Sequence, residues 1–488
     1  MSQFHIYRKN ISGSVFLRNY IRKSKLVLGT LMLTVAGILT RIIGFFYRIF
    51  LSRQIGEEGM GVYQLLAPIM ALSFSLTCAG IQTSISKHVA AYEAEGKRKS
   101  SILTLLYGFL ISISLSFFLG IILCKFSHSI SILFLAEKRC QNLICVYALS
   151  LPFCAIHSCI NGYYFGLKQT TVPSATQLLE QLARVFSVVI LFSIFPDTIT
   201  ESRILFAVLG LVIGEIVSSF ISVVILYKSK DRKTNPRTIS KKTAFQHHIT
   251  ISGPEKHILK KLIFLAAPLS INRIVLNLLQ SIEAAYLPRK LTAFGLTSSE
   301  ALCIYGVFTG MALPMILFPQ AITSSVSVLL LPYVSEADAQ QDRKKIAESI
   351  YLSTAFCLAL GFLCMFLFYL TGPLIGELIF KSPDAGLFIR TLSFMCPFLY
   401  LGTLLTSILN GLGKATLSFL INVASIVIRL LGVFILVPLY GIKAYLYFLM
   451  LSQLVHCILN FVALKKYLYY NNSWRFLIRN NRNLNTIS

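Results

Sequence analysis

Acidic residues are scarce in this sequence. Its 488 residues include only 19 Asp and Glu, against 45 Lys and Arg. All charged residues together make up 13% of the chain, about half of the share that is usual in soluble domains. Hydrophobic residues account for 55%, and the mean hydropathy is +0.72. This composition excludes an ordinary soluble domain and indicates a membrane protein.

Motifs of common enzymes are also missing. The sequence has no P-loop, no HExxH and no GxSxG, and the stretch GLGKAT at 411–416 lacks the first glycine and the hydroxyl residue that a P-loop needs. The eleven cysteines form no CxxC pair, so we interpret them as packing residues rather than disulfides or zinc ligands. We therefore expect no enzyme activity, no catalytic residue, no metal and no ATP site. A gradient or the membrane potential must then drive any transport.

What the sequence does contain is twelve apolar stretches, each long enough to cross about 30 Å of hydrocarbon as a helix. The runs are continuous and lack the alternation of a β-barrel, so we predict an all-α polytopic membrane protein. The eighth stretch is longer than one span needs, and the start of the twelfth is weakly marked. The stretches lie near residues 26–52, 60–86, 101–124, 140–165, 173–195, 203–227, 260–287, 302–333, 346–371, 386–411, 416–440 and 441–463.

The net charge of +26 is unevenly distributed along the chain. If the N-terminus lies inside, the cytoplasmic segments hold 30 Lys and Arg and the outer segments hold nine. This bias follows the positive-inside rule and places both termini in the cytoplasm. The positive charge then favours anionic lipid of the inner leaflet as a partner, and we expect no nucleic-acid partner.

The chain repeats itself at an offset of 245 residues. The tripeptide GVY at 61–63 recurs as GVF at 306–308, and PF at 152–153 recurs at 397–398. Short apolar pieces at 130–135 and 375–380 match as well; they are too short to span and are expected at the outer interface. Each copy holds six spans, so the copies insert in the same orientation. Parallel repeats of this kind occur in transporters with a substrate site between the halves.

The repeat divides the chain into two lobes joined by a basic linker. The linker contains three histidines, which we interpret as solvated loop residues rather than metal ligands. The predicted segments are a cytoplasmic basic N-terminus at 1–25, an N-lobe at 26–227, a cytoplasmic linker at 228–259, a C-lobe at 260–463 and a cytoplasmic basic tail at 464–488.

Arginines interrupt several spans. A charged side chain near the bilayer centre costs at least roughly 2.5–3.5 kcal/mol, so each one needs a compensating interaction. Arg41 lies near the middle of the first span, and Arg48 follows on nearly the same helix face, about 10 Å further along. Arg273 occupies the matching place in the seventh span. We predict that these three arginines bind the substrate.

Other charged residues have a cavity-lining or a structural role, and the sequence leaves both open. Arg53 lies at the membrane boundary, where it can reach the interface. Arg184 has Glu180 four residues earlier, a favourable spacing for an ion pair, and Arg429 is its repeat mate. Arg390 lies near the end of a span.

The balance of charge within the spans indicates the sign of the substrate. Only three acids, Glu180, Glu215 and Glu283, accompany six arginines. An arginine excess favours an anion, and the guanidinium fork suits phosphate in particular. The structural alternative is that all these charges pair and merely fix helix packing. Glu283 and Asn422 are the residues that could coordinate a coupling cation, Na⁺ or H⁺.

The stretch ILTRIIGFFYRIFLSRQIGEEGMGVYQLLAPIMAL at 38–72, followed by AGIQTSISKHVAAYEAEG at 79–96, resembles the stage V sporulation protein B-like polysaccharide flippases. These belong to the multidrug/oligosaccharidyl-lipid/polysaccharide (MOP) exporter superfamily, which also contains the lipid II flippases. The resemblance persists more weakly in PLSINRIVLNLLQSIEAAYLPRKL at 268–291. It implies two six-helix lobes around a laterally open cavity and transport by alternating access.

The resemblance also implies site residues. In the lipid II branch two first-helix arginines bind pyrophosphate; Arg41 fits the first, and the second falls one residue late, at Arg48. An eighth-helix arginine of that branch is replaced here by Thr309, and Arg273 is expected to substitute for it. Glu283 occupies the place of an acidic residue that binds sodium in some relatives.

We therefore expect a monomeric flippase of the bacterial cytoplasmic membrane that carries an undecaprenyl-pyrophosphate-linked oligosaccharide, a peptidoglycan or polysaccharide precursor. One alternative is a cation-coupled multidrug antiporter of the same fold, which would favour cavity carboxylates. A second is a polytopic glycan polymerase or ligase, which would need acidic or His-bearing outer loops. A scaffold without transport would leave the midplane arginines unexplained.

Overall fold

The computed structural model describes residues 3–232, 255–340 and 342–470, and all regular secondary structure in these ranges is helical. Eleven helices in the described residues are long and apolar enough to cross a membrane. A pair bent by 45°, Cys140–Ala148 and Leu151–Gly166, forms a twelfth span if it is counted as one. The prediction of an all-α membrane protein with about twelve spans is confirmed.

We number the helices in chain order. The first half contains α1 Gln3–Gln64, α2 Ala67–Ala94, α3 Arg98–Lys125, α4 Cys140–Ala148, α5 Leu151–Gly166, α6 Thr171–Ile194 and α7 Thr200–Arg232. The second half contains α8 Glu255–Ala293, α9 Ser298–Leu317, α10 Gln320–Ala339, α11 Arg343–Ile375, α12 Pro383–Gly411, α13 Ala415–Tyr440 and α14 Ile442–Tyr470. Most of the predicted linker, at 233–254, and the tail from 471 onward lie outside the described residues.

The helix boundaries depart from the predicted spans at several places; at the end of the first span, for example, α1 continues to Gln64 instead of ending near 52. Helix α1 begins at Gln3, well before the predicted start at 26, and turns sharply at Gly56, whose φ of 71° is one that glycine adopts easily. The over-long eighth stretch is interrupted before Pro319, since proline lacks the N–H that continues a helix. The fourth stretch bends just before Pro152 for the same reason.

The sequence repeat is visible in the backbone. Short π-helical segments, Ile130–Leu135 and Gly376–Phe380, stand at the repeat-related positions. Each ends in a left-handed residue, Ala136 in the first half and Lys381 in the second, and these two are 245 positions apart. The two halves therefore share local conformation as well as sequence.

The two lobes, α1–α7 and α8–α14, contact each other through their first two helices: the first helix of each lobe packs against the second helix of the other lobe. Helix α1 packs against α9, and α8 packs against α2, which is the repeat-related contact. In the α1–α9 contact Gly61 faces its repeat mate Gly306. A Cβ on Gly61 would collide with the carbonyl oxygen of Leu302, and one on Gly306 would collide with the backbone of Glu57 and Gly61. We call this region, where the lobes touch backbone to backbone, the closed end.

Two arginines tie the lobes together near the closed end. Arg53 of α1 donates hydrogen bonds to the carbonyls of Leu378 and Ile379 in the other lobe, at 2.9 and 2.8 Å. Arg289 of α8 donates in the same way to the carbonyls of Ile132 and Leu133. Each arginine thus binds the π-helical segment of the opposite lobe. The sequence left a cavity-lining and a structural role open for Arg53, and in the structure it makes this contact between the lobes.

Candidate functional site

A cavity of about 440 Å³ lies between the lobes, with α1 on one side and α9 and α10 on the other. Its volume falls within the range of about 300–1,000 Å³ that is typical of ligand sites. A smaller cavity of about 120 Å³ continues it toward the start of α1, since both share Arg41 and Ser324. The larger cavity is lined by Arg41, Gly44, Phe45, Arg48, Pro314, Leu317, Phe318, Gln320 and Ser324.

The structure brings Arg41 and Arg48 into this one cavity. Seven residues of α-helix separate them by about 10 Å along the axis and by only about 20° around it. Arg41 is exposed, and Arg48 is half-buried. Phe45, between them in sequence, packs against Phe318 with ring centroids 4.7 Å apart. An apolar contact between the lobes therefore separates two cationic side chains along one wall.

The surroundings of Arg48 are polar. Tyr47, Tyr63 and Arg184 all lie close enough to interact electrostatically with its guanidinium. Tyr47 and Tyr63 in turn interact with Arg184. Arg48 therefore belongs to a group of polar side chains that extends from the cavity into the N-lobe.

The acids in the spans are engaged with side chains other than the cavity arginines. Glu180 pairs with Arg184 at 2.7 Å. Glu283 pairs with Arg429 at 2.9 Å. Both pairs are largely buried, with side chains between 9% and 21% exposed. The sequence left open whether Arg184 and Arg429 line a cavity or have a structural role. In the structure each forms an ion pair with a carboxylate of its own lobe.

Arg390 also has partners, since its guanidinium lies 4.5 Å from the ring centre of Tyr369 and donates to the Tyr369 hydroxyl at 3.0 Å. Of the six arginines within the predicted spans, Arg41, Arg48 and Arg273 form no ion pair or hydrogen bond with any described residue. These are the three for which substrate binding was predicted. Two of them share a cavity, so this part of the protein carries uncompensated positive charge.

Arg273 lies apart from that cavity. It is an exposed residue of α8 and lines neither of the two arginine-containing cavities. One turn further along, Asn277 donates to the carbonyl of Ala71 at 3.2 Å and to Ser75 Oγ at 2.5 Å, so this part of α8 faces α2. The role predicted for Arg273 stays a prediction.

The predicted cation site at Glu283 and Asn422 also stays a prediction. Glu283 Oε1 lies 2.9 Å from Arg429 Nε in an ion pair and accepts a hydrogen bond from the Tyr445 hydroxyl at 2.8 Å. Asn422 donates to the carbonyl of Ser418 within its own helix at 2.8 Å. In this arrangement a cation that bound Glu283 would compete with Arg429.

One buried residue was missed by the sequence reasoning. His157 of α5 lies 3.0 Å from Glu215 and 4.0 Å from Glu180. A lone histidine in an apolar helix is usually a packing residue, and no local pattern joins it to acids on α6 and α7. Only the unexplained position of Glu215 within a span could have prompted a search for a partner.

A larger cavity, of about 840 Å³, lies on the outer surface of the N-lobe among α3, α4, α5 and α7. Its walls are almost entirely apolar, with Lys125 the one charged residue. Such a groove fits hydrocarbon chains and offers no group that would select a headgroup. The smaller cavity between the lobes is therefore the better functional site.

The helices, the two repeat-related lobes and the polar cavity between them define a polytopic membrane protein with a transporter fold. A solved structure described as a multidrug resistance MATE family transporter of the MOP superfamily, in an inward-facing conformation, aligns with a TM-score of 0.68. At 14% identity, the alignment covers 91% of this chain and 99% of that one. This likeness shows that the fold is that of the MOP superfamily.

Sequence comparison defines the family. The family profile described as "Polysaccharide biosynthesis protein" matches residues 26–338, and the chain belongs to this family. It is 28% identical to stage V sporulation protein B of Bacillus subtilis over 403 residues, which cover 82% of this chain and 76% of that protein. A shorter similarity, 26% over 173 residues, relates 33% of this chain to 31% of the lipid II flippase MurJ of Bacillus subtilis. The resemblance noted in the sequence is thereby confirmed.

Proposed function

We propose that this membrane transporter flips an undecaprenyl-pyrophosphate-linked oligosaccharide, a peptidoglycan or polysaccharide precursor, across the bacterial cytoplasmic membrane. One observation carries the proposal: Arg41 and Arg48 line one cavity between the lobes, and neither has a carboxylate partner among the described residues. Membership of the polysaccharide biosynthesis family and the similarity to a protein named lipid II flippase support this substrate class.

The energetics favour a diphosphate ligand. An uncompensated arginine in the hydrocarbon region costs at least roughly 2.5–3.5 kcal/mol. A diphosphate offers two anionic groups, and arginine binds such oxygens through pairs of charge-assisted hydrogen bonds. Two guanidinium groups about 10 Å apart along α1 can bind one diphosphate in succession or hold it together with the first sugar. The polyprenyl tail then stays in the surrounding lipid.

Alternating access follows from the contacts of the lobes. If both termini are cytoplasmic, the closed end at Gly61 and Gly306 faces outward, and the smaller cavity extends the site toward the inner side, as far as Leu33. The headgroup enters between α1 and α10, binds Arg41 and then Arg48, and leaves when the closed end separates. Because no ATP site is present in the sequence, an ion gradient or the membrane potential drives the cycle.

The proposal is tested by lipid flipping in reconstituted vesicles, with a fluorescent polyprenyl-pyrophosphate sugar as the probe. A hydrogen bond to a charged group contributes about 1.5–3 kcal/mol, so Arg48→Ala should weaken probe binding by about 10- to 150-fold. Arg48→Lys keeps the charge but loses the guanidinium fork, so its affinity for the probe should lie between those of wild type and Arg48→Ala. Arg390→Ala is the matched control, because its guanidinium contacts Tyr369 and not the cavity.

The same vesicles distinguish the multidrug alternative. Wild-type protein should flip the pyrophosphate probe and should not drive ethidium efflux. Full flipping by both Arg41→Ala and Arg48→Ala, at wild-type expression, contradicts the proposal. Ethidium efflux without flipping indicates a drug antiporter instead.

A further inference from the structure

Four polar side chains form a largely buried cluster inside the N-lobe. His157 comes from α5, Glu180 and Arg184 from α6, and Glu215 from α7. His157 Nδ1 lies 3.0 Å from Glu215, and its Nε2 lies 4.0 Å from Glu180. The other oxygen of Glu180 binds Arg184 at 2.7 Å. Glu180 therefore stands between a histidine and an arginine.

The charges of this cluster do not balance without an added proton. Glu180 and Glu215 supply two negative charges, and Arg184 supplies one positive charge. With a neutral His157 the cluster keeps one net negative charge in a largely buried place, where the four side chains are only 12–21% exposed. An imidazolium at His157 makes the sum zero.

The positions of the ring nitrogens lead to the same conclusion. Nδ1 lies 3.0 Å from a Glu215 oxygen and Nε2 lies 4.0 Å from a Glu180 oxygen, which are ion-pair distances without hydrogen-bond geometry. Both nitrogens of an imidazolium carry a proton, whereas a neutral imidazole has a lone pair on one of them. In the neutral form that lone pair would lie close to a negative oxygen. The two carboxylates therefore favour the protonated ring.

The remaining titratable groups around the ring are neutral thiols and a phenol. Cys154 lies on α5 one turn before His157, Cys78 comes from α2, and Tyr147 of α4 lies near Cys154 and Glu215. None of these supplies a positive charge. A proton on His157 is therefore the available counter-charge for Glu215.

A divalent metal fits the same residues less well. Cys154, His157 and Glu215 offer three donor atoms within 4.8 Å of one another. Zinc bound at about 2.0–2.1 Å to nitrogen and oxygen would hold these two atoms about 3.3 Å apart in a tetrahedral site. The observed 3.0 Å between His157 Nδ1 and Glu215 is shorter than that separation, as expected for a direct ion pair.

The cluster is connected to the cavity through Arg184. Arg184 interacts electrostatically with Tyr47, Tyr63 and Arg48, and Arg48 lines the cavity. When His157 is protonated, its positive charge offsets part of the negative charge of Glu180, so Glu180 neutralises Arg184 less completely. The positive potential at Arg48 then rises, and an anion in the cavity is held more tightly.

We propose that His157, held between Glu215 and Glu180, is a proton-binding site whose occupancy strengthens anion binding at Arg48. The inference rests on the proposed function for the identity of the anion, but the proton site exists independently of it. One proton from water binds a ring nitrogen of His157, and no other bond is made or broken. By linkage, anion binding and proton binding each favour the other by the same factor.

Binding of undecaprenyl pyrophosphate to the purified full-length protein, measured across a pH series, tests the coupling. Wild-type affinity should fall by up to about tenfold per pH unit as one proton is lost. His157→Gln should remove that part of the pH dependence, and the ratio of the two affinities cancels the titration of the probe itself. His128→Gln, an exposed histidine bound to Gln141 outside the cluster, should behave as wild type.

Glu215→Gln provides a second variant in case His157→Gln does not fold. It removes the charge that favours the proton, so it should shift the pH dependence to lower pH. A pH dependence unchanged in both variants overturns the proposal. Stoichiometric zinc in the purified protein that Cys154→Ser removes would also overturn it, in favour of a metal site.

Infrared difference spectra of the ligand-free protein between two pH values separate this inference from the proposed function. A histidine signal that His157→Gln removes and His128→Gln retains supports the proton site even if no pyrophosphate binds. In that case the proposed substrate fails and the site stands. Absence of such a signal refutes the site even if Arg48→Ala abolishes flipping.

Discussion

The ion pair between Glu283 and Arg429 permits a sharp prediction about stability. Glu283 Oε1 lies 2.9 Å from Arg429 Nε and accepts a hydrogen bond from the Tyr445 hydroxyl at 2.8 Å. The side chains of Glu283 and Arg429 are only 9% and 15% exposed, so water solvates neither charge well. Glu283→Gln leaves Arg429 without a carboxylate. Removing one partner of a buried pair costs about 3–5 kcal/mol.

Removing both charges should cost much less than the two single losses together. In Glu283→Gln/Arg429→Gln no charge remains uncompensated, and replacing a buried pair by neutral groups is often close to neutral. We expect each single variant to lower the apparent melting temperature in detergent by several degrees and the double variant to recover most of the loss. Arg390→Gln, whose partner is the neutral Tyr369, is the control and should have little effect.

Additive losses would refute this reasoning. If the double variant is destabilised by the sum of the single effects, within the roughly 0.3–0.5 kcal/mol that independent sites show, the two residues do not stabilise each other. The double variant also tests the cation site predicted at Glu283 and Asn422, because flipping that survives the loss of Glu283 excludes that site.

Three further predictions concern the closed end and the topology. Gly306→Leu places a side chain against Glu57 and Gly61 and should abolish flipping at normal expression, whereas wild-type flipping would show that the lobes need not touch there. Arg53→Gln combined with Arg289→Gln removes the hydrogen bonds to the opposite lobe. The double variant should widen the distribution of spin-label distances across the closed end, and an unchanged distribution would contradict the role of these arginines as inter-lobe contacts. A phosphatase fused to the C-terminus should be inactive and one inserted after Phe294 active, and the reverse result would invert the predicted orientation.

Much of the architecture could be predicted because its causes are local. A run of apolar residues must be long enough to match the hydrocarbon thickness, so the number of spans can be counted from the chain. The repeat at an offset of 245 is a property of the residue order alone, and it fixes two like-oriented halves. Breaks within the spans were harder to predict from the sequence, since a proline marks a bend without giving its angle. The angle of 45° between Cys140–Ala148 and Leu151–Gly166 is known only from the structure.

The candidate site was predictable in part. That Arg41 and Arg48 share one face follows from helical periodicity, and the structure places both in one cavity. The pair of Glu180 and Arg184 was visible from its spacing of four residues. The sequence grouped Arg273 with the cavity arginines, but the structure places it outside that cavity.

The sequence by itself therefore determined the membrane class, the two parallel halves and an excess of arginine over acid within the spans. Only the tertiary structure decided which arginines are neutralised. Arg429 meets Glu283, and His157 meets Glu215, across helices that are distant in the chain. Such pairs depend on the depth and rotation of each helix against its neighbours, which are set by packing over the whole lobe rather than by any local spacing. Of the span arginines left unpaired, Arg41 and Arg48 lie on the cavity wall, and Arg273 lies outside it.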